Sequence, residues 1–147
     1  MKTVKIIRMY DDVILPEYKT SGAVGMDICA YTKKDIILFS NQCIPIETGI
    51  KLQLPNDIEA QVRTRSGLAT KGVIVANSPG TIDPDYTGEI KVILTYITTF
   101  EHTPFVIKNG DRIAQLVFAP ITRVKFDEVE TFIETERGEG GFGSTGV

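Results

Sequence analysis

An all-β protein with a jelly-roll-like barrel is the fold that this sequence predicts, and three observations lead there. Short runs of β-branched and aliphatic residues follow one another at close, even spacing, turn residues end nearly every run, and no segment sustains a long helical period. The chain of 147 residues, 42% of them hydrophobic, suits one domain with a proper core.

Taken in order, Thr3 to Tyr10 predicts a first strand that breaks at Asp11-Asp12, and Pro16 with Ser21-Gly22 marks a loop running to Gly25. Asp27 to Tyr31, Ile36 to Phe39 and Cys43 to Ile46 each have strand length and end at turn residues. Ile50, Leu52 and Leu54 alternate with Lys51 and Gln53, and after Pro55-Asn56-Asp57 the alternation resumes with Ile58, Ala60 and Val62, which reads as a hairpin with one wet face. Gly67 to Lys71 is the one helix candidate, a turn or two long. Val73 to Ala76 and Ile90 to Leu94 predict a second hairpin whose tip is Gly80 to Glu89. Phe105 to Ile107, Arg112 to Phe118 and Val124 to Phe126 complete the strands. The sequence shows no internal repeat and no domain boundary, so residues 1–137 read as one domain. Residues 138–147 differ: they hold five glycines, cannot bury a core, and should be a mobile tail.

Charge and composition exclude several functions. A net charge of -3 is unlike the basic excess of a nucleic-acid binder, and no apolar run approaches a membrane span. Cys29 and Cys43 form no C-x-x-C, and no charged n-region leads into an apolar h-region, so a reduced cytoplasmic setting is expected. The single histidine, His102, sits in a turn signal and reads as solvent-exposed, which leaves a Ser-His-Asp triad or a histidine metal site without support. No P-loop is present, and no G-x-G-x-x-G follows a strand. Carboxylates, arginines and glycine turns remain, and these suit phosphate-ester hydrolysis, with Mg²⁺ and arginines offsetting phosphate charge while an aspartate takes a proton from water.

Pro84 suits the second position of a β-turn, so Asp83 and Tyr86 should lie at opposite ends of a tight reversal. That segment fits a small-molecule clamp and an ordinary solvated turn equally well. Arg65-Ser66-Gly67 combines a guanidinium fork, a hydroxyl and backbone N–H groups at a possible helix start, which suits a phosphate cradle or a polar turn. Asp27 could face a cleft, although a turn-capping aspartate looks the same, and Asp111-Arg112 reads first as a structural pair, with Gln115 able to face a ligand. Arg137 and Phe142 place a cation and a ring in the glycine-rich tail, where a plain disordered terminus is the alternative.

Five stretches in order resemble the dUTPase family over nearly the whole chain: Ala23 to Ile28, Arg65 to Ala69, Gly80 to Glu89, Gly110 to Gln115, and Arg137 to Gly146. The resemblance implies a homotrimer whose three active sites each draw on all subunits. It also implies Mg²⁺-dependent hydrolysis of dUTP to dUMP and pyrophosphate, which keeps uracil out of DNA and supplies dUMP for thymidylate synthesis. Carried over by position, Asp83 is the base that orients water, and its neighbours Thr81 and Ile82 belong to the same substrate-binding turn. Tyr86 stacks on the sugar where a 2'-OH would sit. Backbone groups of Gly80 and Lys91 read uracil, with Asn77 holding the hairpin. Arg65, Ser66, Gly67 and Gln115 hold phosphates, and Asp27 meets the metal through water. The tail closes over the nucleotide, with Phe142 stacking on uracil, Gly143 among the substrate-binding residues and Arg137 on the terminal phosphate. Two positions depart from the family pattern: Thr64 stands where proline is common before the arginine, and Val24 replaces a usual small residue. A dCTP deaminase of the same fold is the nearest rival, but it needs an acid on the strand after the turn; Ile90 to Tyr96 has none, and Glu89 is the only acid close by. A nucleotide-sensing trimer without catalysis is the alternative from another class.

Overall fold

A computed structural model describes residues 2–98 and 103–141; His102, Phe142 and Gly143 lie outside the described residues. Ten strands and one helical turn are formed: β1 Lys5–Arg8, β2 Met26–Cys29, β3 Ile36–Leu38, β4 Cys43–Gln53, β5 Ile58–Arg63, α1 Ser66–Ala69, β6 Val73–Val75, β7 Gly80–Ile82, β8 Glu89–Tyr96, β9 Phe105–Ile107 and β10 Arg112–Pro120. Two four-stranded antiparallel sheets, ordered β1-β4-β8-β6 and β2-β10-β5-β7, face each other, and β3 pairs with β9 beside them. The all-β expectation therefore holds.

The core is aliphatic. Leu38, Ile46, Val73, Ile90, Val92, Leu94 and Ile107 are completely buried, and Ile28, Ala60 and Leu116 join them from the second sheet. Period-two alternation explains the pattern, because successive side chains of a strand point to opposite faces. In β4 and just beyond it Ile50, Leu52 and Leu54 point inward, and in β5 Ile58, Ala60 and Val62 do the same. The faces follow the sequence reading; the pairing does not. Instead of forming a hairpin, β4 and β5 belong to different sheets, since β4 lies between β1 and β8 while β5 lies between β10 and β7. A wet-faced hairpin would leave both apolar faces on one sheet, whereas the switch at Pro55-Asn56-Asp57 lets each sheet contribute one face to a shared core. Cys43–Ile46 and Ile50–Gln53, expected as separate strands, form one strand interrupted by a register shift between Glu47 and Lys51. Gly49 sits in that shift with φ +68°, a conformation that glycine adopts without a Cβ penalty.

The second expected hairpin is real at its base and altered at its tip. β6 and β8 pair through Val73↔Tyr96, Ile74↔Thr95 and Val75↔Leu94. Between them the chain passes the cis Ser78-Pro79 peptide and enters the other sheet as β7, pairing Gly80 with Val62, Thr81 with Gln61 and Ile82 with Ala60. The strand expected at Val124–Phe126 is absent: after Pro120 the described chain to residue 141 carries no strand. Phe126 is 92% exposed, and no strand among the described residues pairs with its segment. A strand needs a ladder neighbour, and here none is available.

Leu94, buried at the base of the hairpin, provides a test of this core. Leu94→Ala should lower unfolding stability by about 2–5 kcal/mol, as large-to-small core changes do, with an unchanged denaturant slope in urea unfolding.

Candidate active site

The tip of the β7–β8 excursion turns as expected. The backbone N–H of Tyr86 donates to the Asp83 carbonyl at 3.1 Å, closing a four-residue turn with Pro84 at its second position. The Tyr86 ring then lies over Gly88, where an added Cβ would stand only 2.5 Å from the phenolic oxygen, and that hydroxyl donates to the Glu89 carbonyl at 2.9 Å. Glycine at 88 is thus a steric requirement of the ring's position.

Beside this turn the sheets part. β7 is paired on one edge only, to β5, and β6 covers the outer edge of β8 no further than Leu94, extended by the Ala76 N–H on the Ile93 carbonyl. The divergence opens a cleft of about 270 Å³ lined by Thr81, Ile82, Asp83, Tyr86, Glu89, Lys91 and neighbours on β4 and β8. Five predicted residues, Thr81, Ile82, Asp83, Tyr86 and Lys91, therefore share one cavity. Asn77 packs on Gly80, its side-chain nitrogen 3.1 Å from where a Cβ of residue 80 would be.

Lys91 and Glu89 are not free. Lys91 Nζ lies 3.1 Å from Glu47 and 3.9 Å from Glu89, and the hydrogen bond to Glu47 raises its pKa. A lysine raised on folding stabilises below its ordinary range and loses that contribution only as pH climbs through the folded value, so this exposed pair holds at neutral pH. Glu89 accepts the backbone N–H groups of Gly49 at 2.9 Å and Thr48 at 3.2 Å, closing the irregularity in β4. An acid committed in this way is not a free general base on β8, which removes the feature that kept the deaminase reading open.

A second cluster lies elsewhere in the chain. Asp27 on β2 is clasped by two guanidinium groups, Arg65 Nε at 2.7 Å and Arg112 Nη1 at 3.2 Å, while Arg65 Nη1 also donates to the Arg112 carbonyl at 2.9 Å. The pairing β2–β10 sets Gln115 opposite Asp27, and Gly25 lets the chain pass close to the Gln115 side chain. Arg65 occupies the N-cap position of α1 without a side-chain capping bond, so Ser66 and Gly67 form its first turn, and a Cβ on Gly67 would meet nothing within 4 Å. The cradle predicted at Arg65-Ser66-Gly67 is open on that side. Asp27, Cys29, Arg112, Lys19 and Glu17 line a groove of about 260 Å³ that shares no residue with the hairpin cleft. No group of three or more His, Cys, Asp or Glu side chains is arranged to hold a metal among the described residues. Arg137 makes a local bond, Nε to the Gly140 carbonyl at 2.8 Å.

Two contributors escaped the sequence reading. Arg112, read as the partner of Asp111, instead pairs with Asp27; 85 positions separate them, and only the β2–β10 register reveals the contact. Thr64, a departure from the family pattern, accepts the Val75 N–H at 2.9 Å on its hydroxyl and donates its own N–H to Ser78 Oγ at 3.3 Å. Proline could not make the second bond. Val24, the other departure, is 70% exposed.

The structure thus joins an all-β fold of two facing sheets to an acid and a ring beside an open cleft, with two arginines gathered around a separate carboxylate. The dUTPase family model matches residues 11–146. The deoxyuridine 5'-triphosphate nucleotidohydrolase of Anaplasma marginale is 45% identical over 150 residues, covering 100% of both chains, and that of Rickettsia bellii is 52% identical over 134 residues, 90% of this chain and 87% of the relative. Among solved structures, a mutant dUTPase of Staphylococcus bacteriophage 80alpha with dUpNHpp superposes with a TM-score of 0.81 at 25% identity, covering 100% of both chains. A dUTPase mutant from phage phi11 of S. aureus, described with a structural Mg(II) ion, reaches 0.79 at 20% identity over 90% of this chain and 100% of that one, a likeness of fold alone. The chain belongs to the dUTPase family.

The cysteines yield a chemical test of this region. Burial, followed by the neighbouring Asp27 carboxylate, pushes the Cys29 thiol above its ordinary value of 9.0, against the opposing pull of Arg112, Lys19 and Arg65, while Cys43 is exposed. A Cys43→Ser variant should therefore react slowly with a disulfide reagent at pH 8 and faster only well above pH 9. The proton that the folded thiol retains also means that stability falls as pH rises past 9, and Cys29→Ala should remove that part of the alkaline loss in pH-dependent unfolding.

Proposed function

We propose that the chain hydrolyses dUTP to dUMP and pyrophosphate with Asp83 as the general base, and the Asp83–Tyr86 turn beside the open edge of β8 is the observation that carries this reading. Asp83 is exposed at the mouth of the cleft, where its carboxylate can take a proton from a water molecule as the water oxygen attacks the α-phosphorus. The bond from that phosphorus to the bridging oxygen breaks and pyrophosphate leaves. The slot between β7 and β8 takes uracil on backbone groups of Gly80 and Lys91, so cytosine is refused by mismatched donors and acceptors and thymine by its methyl. Tyr86 lies on the deoxyribose and leaves no room for a 2'-OH. Arg65, Ser66, Gly67 and Gln115 take the phosphates.

Mg²⁺ fits this site in a limited way. One carboxylate already held by two arginines is too few ligands for a protein cage, but it suits an ion that keeps several waters and binds mainly to substrate phosphates. Asp27 would hold such an ion through water, and the ion would offset phosphate charge.

The separation of the two clefts supports a homotrimer. If the turn of one subunit faces the arginine cluster of another, the base and the phosphate cradle meet without either moving within its chain. Residues 138–147 act as a tail that closes over the bound nucleotide, with Phe142 and Gly143 on the base and Arg137 on the terminal phosphate. No helix among the described residues is long and apolar enough to cross a membrane, and two unpaired thiols suit a reducing cytoplasm. The physiological role is to keep uracil out of DNA and to supply dUMP.

Pyrophosphate release from dUTP, dCTP, dTTP and UTP, with ammonia followed in parallel, tests the activity: dUTP alone should turn over, without ammonia. Asp83→Asn should keep dUTP binding and lower kcat by about a hundredfold or more, the scale of a lost general base; near-normal turnover would refute the role. Removing residues 138–147 should leave a folded protein of trimer mass with little activity, and a truncated protein that unfolds would count against the tail assignment.

A further inference from the structure

The turn that carries Tyr86 is anchored to the neighbouring strand β4 by a side chain with no assigned part in the reaction. Glu89 is only 13% exposed at its side chain, and its carboxylate reaches across to β4, where Oε1 accepts the N–H groups of Gly49 and Thr48 at 2.9 and 3.2 Å. These two donors belong to the register shift of β4, so without Glu89 they would lack a ladder partner. Thr48 secures the same junction from its side, its hydroxyl donating to the Ile90 carbonyl at 2.5 Å. The carbonyl of Glu89 meanwhile receives the Tyr86 hydroxyl at 2.9 Å. One residue thus grips the barrel with its side chain and the aromatic ring with its backbone, and Gly88 supplies the space in which the ring lies.

We propose that Glu89 is a positioning residue for sugar selection: by pinning the β8 end of the turn to the β4 irregularity it fixes where the Tyr86 ring lies, and so sets how strictly a 2'-hydroxyl is excluded. The proposal rests on the reading of Tyr86 as the group that meets the sugar. A ring that is 44% exposed has little packing of its own to hold it, so its placement depends on the hydroxyl bond and on the carbonyl that receives it. If that carbonyl shifts, the ring follows. A Cβ at position 88 would displace the ring directly, without touching the carboxylate.

The readout is the ratio of kcat/KM for dUTP to that for UTP, measured on the full chain. Glu89→Ala should lower the ratio at least tenfold, mainly by letting UTP in. Glu89→Gln, which keeps an oxygen for the Gly49 N–H, should restore most of the discrimination. Glu89→Asp retains the charge but withdraws the carboxylate by one methylene, and it is the variant to read should the alanine fail to fold. Gly88→Ala should reproduce the loss. If Glu89→Ala and Glu89→Asp slow both substrates in equal proportion, the residue merely supports the fold and the proposal is overturned. Tyr86→Leu separates the two levels. A lowered ratio there with an unchanged one at Glu89 defeats only the positioning role, whereas an unchanged ratio at Tyr86 defeats the sugar-stacking assignment and this inference with it.

Discussion

Three residue pairs between β5 and β7 decide where the Asp83–Tyr86 turn lies. Gly80, Thr81 and Ile82 register on Val62, Gln61 and Ala60, although the strands on either side of them, β6 and β8, are zipped together in the opposite sheet. A hairpin whose base belongs to one sheet and whose tip is stitched into the other must open in between, and the opening is the cleft. Backbone hydrogen bonds contribute only about 1 kcal/mol each after exchange with water, so three such pairs cannot hold the excursion alone. Burial does more: a fully buried valine or isoleucine contributes about 1.5–3 kcal/mol, and Val62, Ile90, Val92 and Leu94 all lie in the core beneath the excursion. The hydrogen bonds then choose the register. A slip of one residue would turn Ile82 and the approach to Asp83 to the wrong face.

The same division between pattern and pairing explains how far the sequence could be read. Period-two alternation placed Ile50, Leu52, Ile58, Ala60 and Val62 on inward faces, because which face a side chain takes is a local property of an extended chain. Which strand pairs with which is not local. The β4–β5 connection looks like a hairpin by spacing, yet its strands part because each sheet needs its own apolar face opposite the other. The Asp83–Tyr86 turn was legible since proline and acids encode it within four residues. The contacts of Asp27 with Arg65 and Arg112 span 38 and 85 positions, and no spacing rule announces them. Val124 to Phe126 failed for the complementary reason: it has strand composition, but without a pairing partner among the described residues it stays exposed.

Thr64 shows how a departure from a family pattern can carry structure. It stands where β5 leaves its sheet, and its hydroxyl and N–H reach Val75 at the end of β6 and Ser78 two residues before β7. Proline at this place would fix the local backbone angle but could donate nothing. The threonine ties the exit of one strand to the segment that carries Asn77 and Gly80 into the slot. Arg65 begins one residue later, so the same junction fixes the origin of the guanidinium fork.

That fork is held before any nucleotide arrives. Arginine carries five N–H donors in one plane, and Arg65 commits two of them, one to Asp27 and one to the Arg112 carbonyl. As a contribution to stability the ion pair counts for little, since its partners are largely withdrawn from water, 22% and 12% exposed at their side chains, and the cost of desolvating both charges offsets much of their attraction. Its effect is on orientation. A free arginine loses side-chain entropy when a phosphate fixes it; one already clasped on its Nε side has lost most of it during folding, and its remaining donors point where the carboxylate does not. Asp27 thereby restrains a cation instead of cancelling it, and the phosphate site proposed at Arg65-Ser66-Gly67 is preorganised by the carboxylate that would otherwise compete with its ligand.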